Sequence, residues 1–228
     1  MIYLDKKLIF IHIPKTAGTS IEHFFAPKIS FKYGLGHDPK NFPKASAWRQ
    51  HISMQQITDH GVNRIISEPT SDIFKLSEDE YLLKYQQQDE DFLKNSFKFC
   101  FVRNPLDRFV SEFFWRNNFN GFHGKRSPSC FDDFVENFES YYLDPIECHY
   151  RTQASFINNK NNIQMDFIGR FENFNDDWKR LLKLLGLQHE KAPFLQRSNH
   201  KDYMSYYNSS TRNIIEAFYQ EDFCAFNY

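Results

Sequence analysis

The sequence predicts an α/β fold, a single domain spanning residues 1–228 with an open, mostly parallel sheet flanked by helices. Two observations carry this. Short apolar runs rich in β-formers at residues 7–13 and 97–102 each enter a tight turn and then a helical pattern, so a strand–turn–helix unit occurs twice. A third short run at 165–168 precedes another amphipathic segment, and strands alternating with helices are the signature of a parallel sheet.

The first run, Lys7-Leu8-Ile9-Phe10-Ile11-His12-Ile13, has no polar alternation and is stopped by Pro14, which predicts a strand buried on both faces. After a turn at 14–18, residues 19–25 carry a capping hydroxyl and then apolar side chains at 21, 24 and 25, the spacing of a helix packed back on the sheet. Residues 26–46 collect Pro27, Gly34, Gly36, Pro39 and Pro43 and read as a long loop. Residues 47–57 begin as strand and end as helix. Ser77 and Glu80 form a capping-box pattern that opens a helix over 77–88. In the second unit the strand at 97–102 leads to Asn104 as N-cap and Pro105 at the first helical position, with the helix reaching Trp115.

Residues 116–130 are polar and turn-rich and form a second loop suited to face a substrate. Helices follow at 131–138 and 150–157, then the third strand. Apolar residues at 178, 181, 182 and 185 predict a helix over 175–185 closed by Gly186, and a last helix runs from 210 or 211 to 219.

Composition bounds the function classes. Hydrophobic residues make up 41% and charged residues 25%, enough for a packed core, and with 26 Phe that core is aromatic. The 28 Lys+Arg against 29 Asp+Glu leave a net charge of -1, so the field needed for non-specific nucleic-acid binding is missing and no nucleic-acid partner is expected. No apolar run approaches the roughly 20 residues of a membrane span. The start, Met1-Ile2-Tyr3-Leu4-Asp5-Lys6-Lys7, lacks the order of a signal peptide, so a cytoplasmic location is expected. Cys100, Cys130, Cys148 and Cys224 are irregularly spaced with no C-x-x-C pair, which predicts thiols without disulfide or zinc.

The chemistry is concentrated in the two turns. In Ile13-Pro14-Lys15-Thr16-Ala17-Gly18-Thr19-Ser20, backbone N–H groups entering a helix make an anion cradle, Gly18 lets the backbone come close, Lys15 adds charge, and Thr19 and Ser20 add hydroxyls. Lys15 precedes the lone glycine, so this is not a Walker loop. In the second turn Arg103 stands at the strand end and Ser111 about 11 Å along the following helix, where a long guanidinium can share an oxyanion with the hydroxyl. Equally, Arg103 can pair with Asp107 or Glu112 and leave Ser111 incidental. Two anion sites at neighbouring strand ends suit a nucleotide phosphorylated at both ends.

These residues resemble the sulfotransferases that use 3'-phosphoadenosine 5'-phosphosulfate (PAPS), and among them the carbohydrate O-sulfotransferases. Residues 10–20 are similar to that family's loop for the 5'-phosphosulfate, and Phe101-Val102-Arg103-Asn104-Pro105-Leu106-Asp107-Arg108-Phe109-Val110-Ser111-Glu112 to its 3'-phosphate motif. Fainter echoes are His149-Tyr150-Arg151-Thr152-Gln153, Phe167-Ile168-Gly169-Arg170-Phe171-Glu172-Asn173 and Tyr219-Gln220-Glu221-Asp222-Phe223. The resemblance implies a P-loop-like sulfotransferase fold and PAPS as co-substrate, with Thr16, Ala17, Gly18, Thr19 and Ser20 at the 5' end and Arg103 and Ser111 at the 3'-phosphate. It also implies Phe171 against the adenine, Arg197 or Ser198 closing over the 3' end, and a carbohydrate or other hydroxyl-bearing acceptor.

An in-line sulfuryl transfer needs a base for the acceptor hydroxyl and positive charge on the leaving oxygen. Lys15 supplies the charge. A base titrating near neutrality points to histidine. His51, in Trp48-Arg49-Gln50-His51-Ile52-Ser53, resembles the histidine that such enzymes place between their two phosphate motifs. His149 and Glu172 are the other candidates, and the mechanism requires no metal. The competing readings are a P-loop-like nucleotide kinase and a non-catalytic nucleotide-binding protein. The acceptor, the role of residues 61–96 and the oligomeric state are not read from this sequence.

Overall fold

Strands form where apolar β-formers run without interruption, and helices where a capping side chain meets a 3.6-residue apolar stripe. The structure, a computed structural model, describes residues 2–3, 7–25, 51–67, 71–117, 127–138, 140, 148–191, 193 and 201–228. Its elements begin with β1 (Ile2–Tyr3), β2 (Leu8–Ile11), α1 (Gly18–Phe25), α2 (Met54–His60), α3 (Val62–Ile66), α4 (Glu78–Asn95) and β3 (Phe97–Val102). They continue with α5 (Pro105–Trp115), α6 (Phe131–Glu136), α7 (Ala154–Ile157), β4 (Phe167–Arg170), α8 (Phe174–Leu184), α9 (Ser209–Phe218) and α10 (Gln220–Phe226). The loop expected at 26–46 and the candidates Arg197 and Ser198 lie outside the described residues. So does most of the loop at 116–130.

The sheet order is β1-β2-β3-β4. β1 pairs antiparallel with β2, an edge pairing that two residues were too short to announce in sequence. β2 and β3 are parallel, in register from Leu8 opposite Phe97 to Ile11 opposite Cys100. β4 follows the direction of β3, with Asp166 N–H donating to Lys98 O and Phe171 N–H to Val102 O, both at 2.8 Å. This is the expected α/β architecture with three parallel strands. Among the described residues no helix is long and apolar enough to cross a membrane.

The chain divides into two compact units, Met1–His12 with Ile21–Cys100 and Ser155–Ile168, and Ile13–Ser20 with Phe101–Ala154 and Gly169–Tyr228. In the first unit all four residues of β2 are buried, and Phe10 stacks on Phe99 with ring centroids 4.8 Å apart. The Ser77–Glu80 capping box opens α4 as expected, but the helix runs to Asn95 rather than 88. The buried Lys98 explains the extension, since its ammonium donates to Leu93 O at 3.0 Å and to Ser96 O and so satisfies carbonyls of the final turn. Asp89 of α4 accepts the Asn63 N–H at 2.9 Å and the Tyr81 hydroxyl. Gly61 sits beside this pair at φ +77°.

The second unit packs aromatic rings from α5, α6 and α9. Phe109 meets Phe134 at 4.8 Å, and Phe131, Phe113, Tyr150 and Tyr219 close around them. Each such buried ring contributes about 1.5–3 kcal/mol of transfer free energy. Asn104 caps α5 through its side-chain oxygen, which accepts the Leu106 N–H at 3.0 Å, with Pro105 next, as the sequence predicts. Three expectations shift. β4 starts two residues later than expected, because Phe167 and Gly169 face inward while Ile168 is exposed, and the Phe101 ring occupies the space a Cβ at Gly169 would need. The helix expected at 150–157 is a 3-10 turn (Cys148–Tyr150) followed by α7, because the Asp222 carboxylate takes the N–H groups of Gln153 and Ala154, each at 2.9 Å. Finally, α10 extends the chain's helical end beyond the expected stop at 219.

Candidate functional site

The turn after β2 is built on left-handed backbone. Lys15 (φ +68°) and Ala17 (φ +74°) both lie where L-residues are strained, at about 1–3 kcal/mol each, and such strain gathers at functional sites. Left-handed residues alternating with ordinary ones are the backbone pattern of anion-binding nests in general, and here that pattern leads directly into α1. The left-handed positions are thus Lys15 and Ala17, and Gly18 is the first residue of the helix. Thr16 is fully buried and donates its hydroxyl to Ile13 O at 2.9 Å, so its side chain closes the turn. Thr19 is half-buried and Ser20 buried in the first turn of α1.

The turn after β3 is clamped on both sides of Arg103. Gln153 accepts the Arg103 N–H at 2.9 Å and donates its amide to Arg103 O at 2.8 Å. Asp222 fixes Gln153 in turn. The Arg103 side chain donates from Nε to Asp107 at 2.7 Å and from Nη1 to Lys15 O at 3.2 Å, with its guanidinium 4.1 Å from the Phe171 ring centroid. Of the alternatives open in the sequence, pairing with Asp107 is the one adopted. Phe171, assigned to adenine by resemblance, faces the guanidinium. Ser111 is buried on the same helix, 3% exposed.

Around Lys15 lies a cluster the sequence reading did not assemble. Its ammonium is 4.8 Å from the Trp115 ring centroid, and the same indole stacks on His149 at 4.8 Å. His149 meets Glu112 at 2.9 Å, and Arg116 Nε donates to the other Glu112 oxygen at 2.7 Å. Burial lowers the Lys15 pKa; the Glu112 charge raises it, Arg103 and Arg116 lower it, and it comes to rest at about 8. The available signal was the i,i+4 spacing of Glu112 and Arg116 on one helix face.

His51 belongs to the first unit and is 7% exposed. Its Nδ1 lies 2.9 Å from His12 O, and since a carbonyl only accepts, Nδ1 carries the proton and Nε2 is the basic nitrogen of the neutral ring. His12 is buried, as the sequence suggested, and pairs with Glu22 at 2.5 Å. Glu172 accepts the Asn104 N–H at 2.6 Å and the Tyr228 hydroxyl at 3.1 Å. The fainter motif echoes also find their partners: Tyr219 donates to Tyr150 O at 2.9 Å and Thr152 to Glu221 at 2.9 Å, beside the Asp222–Gln153 contact.

In this mostly parallel sheet β2 and β3 each lead into a cation-bearing turn, the α/β arrangement that the sequence predicts. The model of the sulfotransferase family matches residues 1–228, and the chain belongs to that family. No curated protein and no solved structure matches it. Sulfuryl transfer is the family's chemistry, so the chain is a transferase.

Proposed function

We propose that this chain transfers the sulfuryl group of PAPS to a hydroxyl of an acceptor, of the carbohydrate class. The observation that supports it most directly is the bond from Arg103 to Lys15 O, which ties a guanidinium to the strained anion cradle of the other turn. A donor phosphorylated at both its 3' and 5' ends needs two such anion sites, and ATP needs one.

The donor set fits that nucleotide: N–H groups of residues 16–20 and the Lys15 ammonium suit the 5' end, and the Arg103 fork with the Ser111 hydroxyl suits the 3'-phosphate. When bound, PAPS supplies the activated sulfuryl group. Lys15 places positive charge where the leaving phosphate oxygen gains negative charge. His51 is assigned as base, because the bond to His12 O holds its ring with Nε2 as the proton acceptor. His149 also has its Nδ1 held, by Glu112, and it stands second to His51 on the resemblance alone.

The test is thermal stability with 3',5'-ADP (PAP), with AMP and with ATP plus Mg²⁺, in wild type and Arg103→Ala. A ligand at about 100 times its Kd raises folded-state stability by about 2.7 kcal/mol. Stabilisation by PAP that the variant loses supports the reading, whereas stabilisation by ATP alone points to a kinase. Transfer of radiolabelled sulfate from PAPS to sugar acceptors then separates an enzyme from a binding protein. His51→Ala should abolish turnover and spare PAP binding, and loss of binding would remove His51 as base.

A further inference from the structure

Glu112 follows Ser111 on α5, is 3% exposed, and has no part in the steps above. Both its oxygens are engaged by groups that carry or can carry positive charge, Arg116 Nε at 2.7 Å and His149 Nδ1 at 2.9 Å. Burial pushes its carboxyl up, but the charges of His149, Lys15 and Arg116 outweigh burial and hold it at about 2, so it is an anion at neutral pH. His149 in turn stacks on Trp115 with an interplanar angle of 26°, and Trp115 presents its ring to the Lys15 ammonium. Carboxylate, imidazole, indole and ammonium follow one another through contacts inside the second unit.

We infer that Glu112 is a positioning residue for the Lys15 cation, anchoring it at the 5' end of the donor site through His149 and Trp115. The inference rests on the donor reading proposed above. The charged groups acting on Lys15 are Glu112 of α5, Arg116 at the C-terminal cap of that helix and Arg103 just beyond β3, while His149 of the 3-10 turn acts on Glu112 and stacks on Trp115. Among them Glu112 is the anion. Arg103 and Arg116 both oppose the ammonium, so without Glu112 the lysine loses its proton at a lower pH.

The experiment is PAP affinity by calorimetry across about pH 7 to 10, where the phosphates of PAP, with a second pKa of about 6, stay largely ionised, and it needs no acceptor. In wild type, affinity should fall above about pH 8, as Lys15 loses its charge. Glu112→Gln moves that alkaline limb down by about one pH unit. Lys15→Arg abolishes the limb, because a guanidinium stays charged throughout, and adding Glu112→Gln to Lys15→Arg then produces no shift. A merely structural glutamate would weaken binding equally at all pH values. The inference is overturned by an unmoved limb in Glu112→Gln, or by the same shift with and without the lysine. If Glu112→Gln does not fold, Glu112→Asp replaces it: a limb lowered by roughly a few tenths of a pH unit supports the inference, and an unchanged one overturns it. Absence of PAP binding at every pH would instead defeat the donor reading itself.

Discussion

Arg103 donates through Nη1 to the main-chain carbonyl of Lys15 at 3.2 Å, so the second turn holds the first by its backbone. The same guanidinium donates from Nε to Asp107 at 2.7 Å, which only a fork of several N–H groups can do at once.

Arg103→Lys is therefore not a conservative change. A single ammonium cannot bind Asp107 and the Lys15 carbonyl with the same geometry and also present a bidentate face, so PAP affinity should fall by about ten-fold or more with the fold retained. Calorimetry on the two proteins checks this, and equal affinities would refute it.

Ala17→Gly should stabilise the protein. The alanine sits at φ +74°, where its Cβ costs about 1–2 kcal/mol and glycine's does not exist. Set against the extra freedom of an unfolded glycine, the net gain is about 0.5 kcal/mol, read from urea denaturation. A loss of stability would mean that the alanine methyl packs usefully in the turn.

Asp222→Asn leaves one oxygen where two accept the N–H groups of Gln153 and Ala154. The cost is about 1–3 kcal/mol of stability. Because Gln153 holds the Arg103 peptide on both sides, PAP should also bind more weakly, whereas a stability loss with unchanged PAP affinity would separate the two roles.

Gly61→Ala tests a segment that the motifs leave unassigned. A Cβ there would overlap the Tyr81 hydroxyl and come within 2.5 Å of Asp89, on a backbone that already has φ +77°. We expect destabilisation of about 2–4 kcal/mol, seen as a lowered Tm. A change under about 1 kcal/mol would show that the Tyr81–Asp89 pair yields easily.

Much of the fold was legible because local signals agreed with the tertiary outcome. Leu8–Ile11 and Phe97–Val102 are uninterrupted apolar runs, and Ser77, Asn104 and Pro105 act as caps through their own chemistry. The misplaced strand shows the limit: Gly169 has no strand propensity, and it belongs in β4 because of a ring on another strand, Phe101. At the site, residue types were legible but their partners were not. Sequence spacing allowed Arg103 either Asp107 or Glu112, and the contact of Glu112 with His149, 37 positions apart, depends on how the chain folds back. The left-handed backbone of the first turn was not legible at all, since Lys15 and Ala17 carry it against their own propensity.

The clamp on Arg103 also constrains the order in which a newly made chain can become competent. The ribosome delivers Arg103 first, Gln153 next and Asp222 much later, yet each is fixed by the one that follows. A nascent chain can lay β3 beside β2 while the arginine's peptide still lacks its brace. The Arg103 peptide is thus braced only after α10 has emerged and docked, so the turn after β3 is among the last parts of its unit to be fixed.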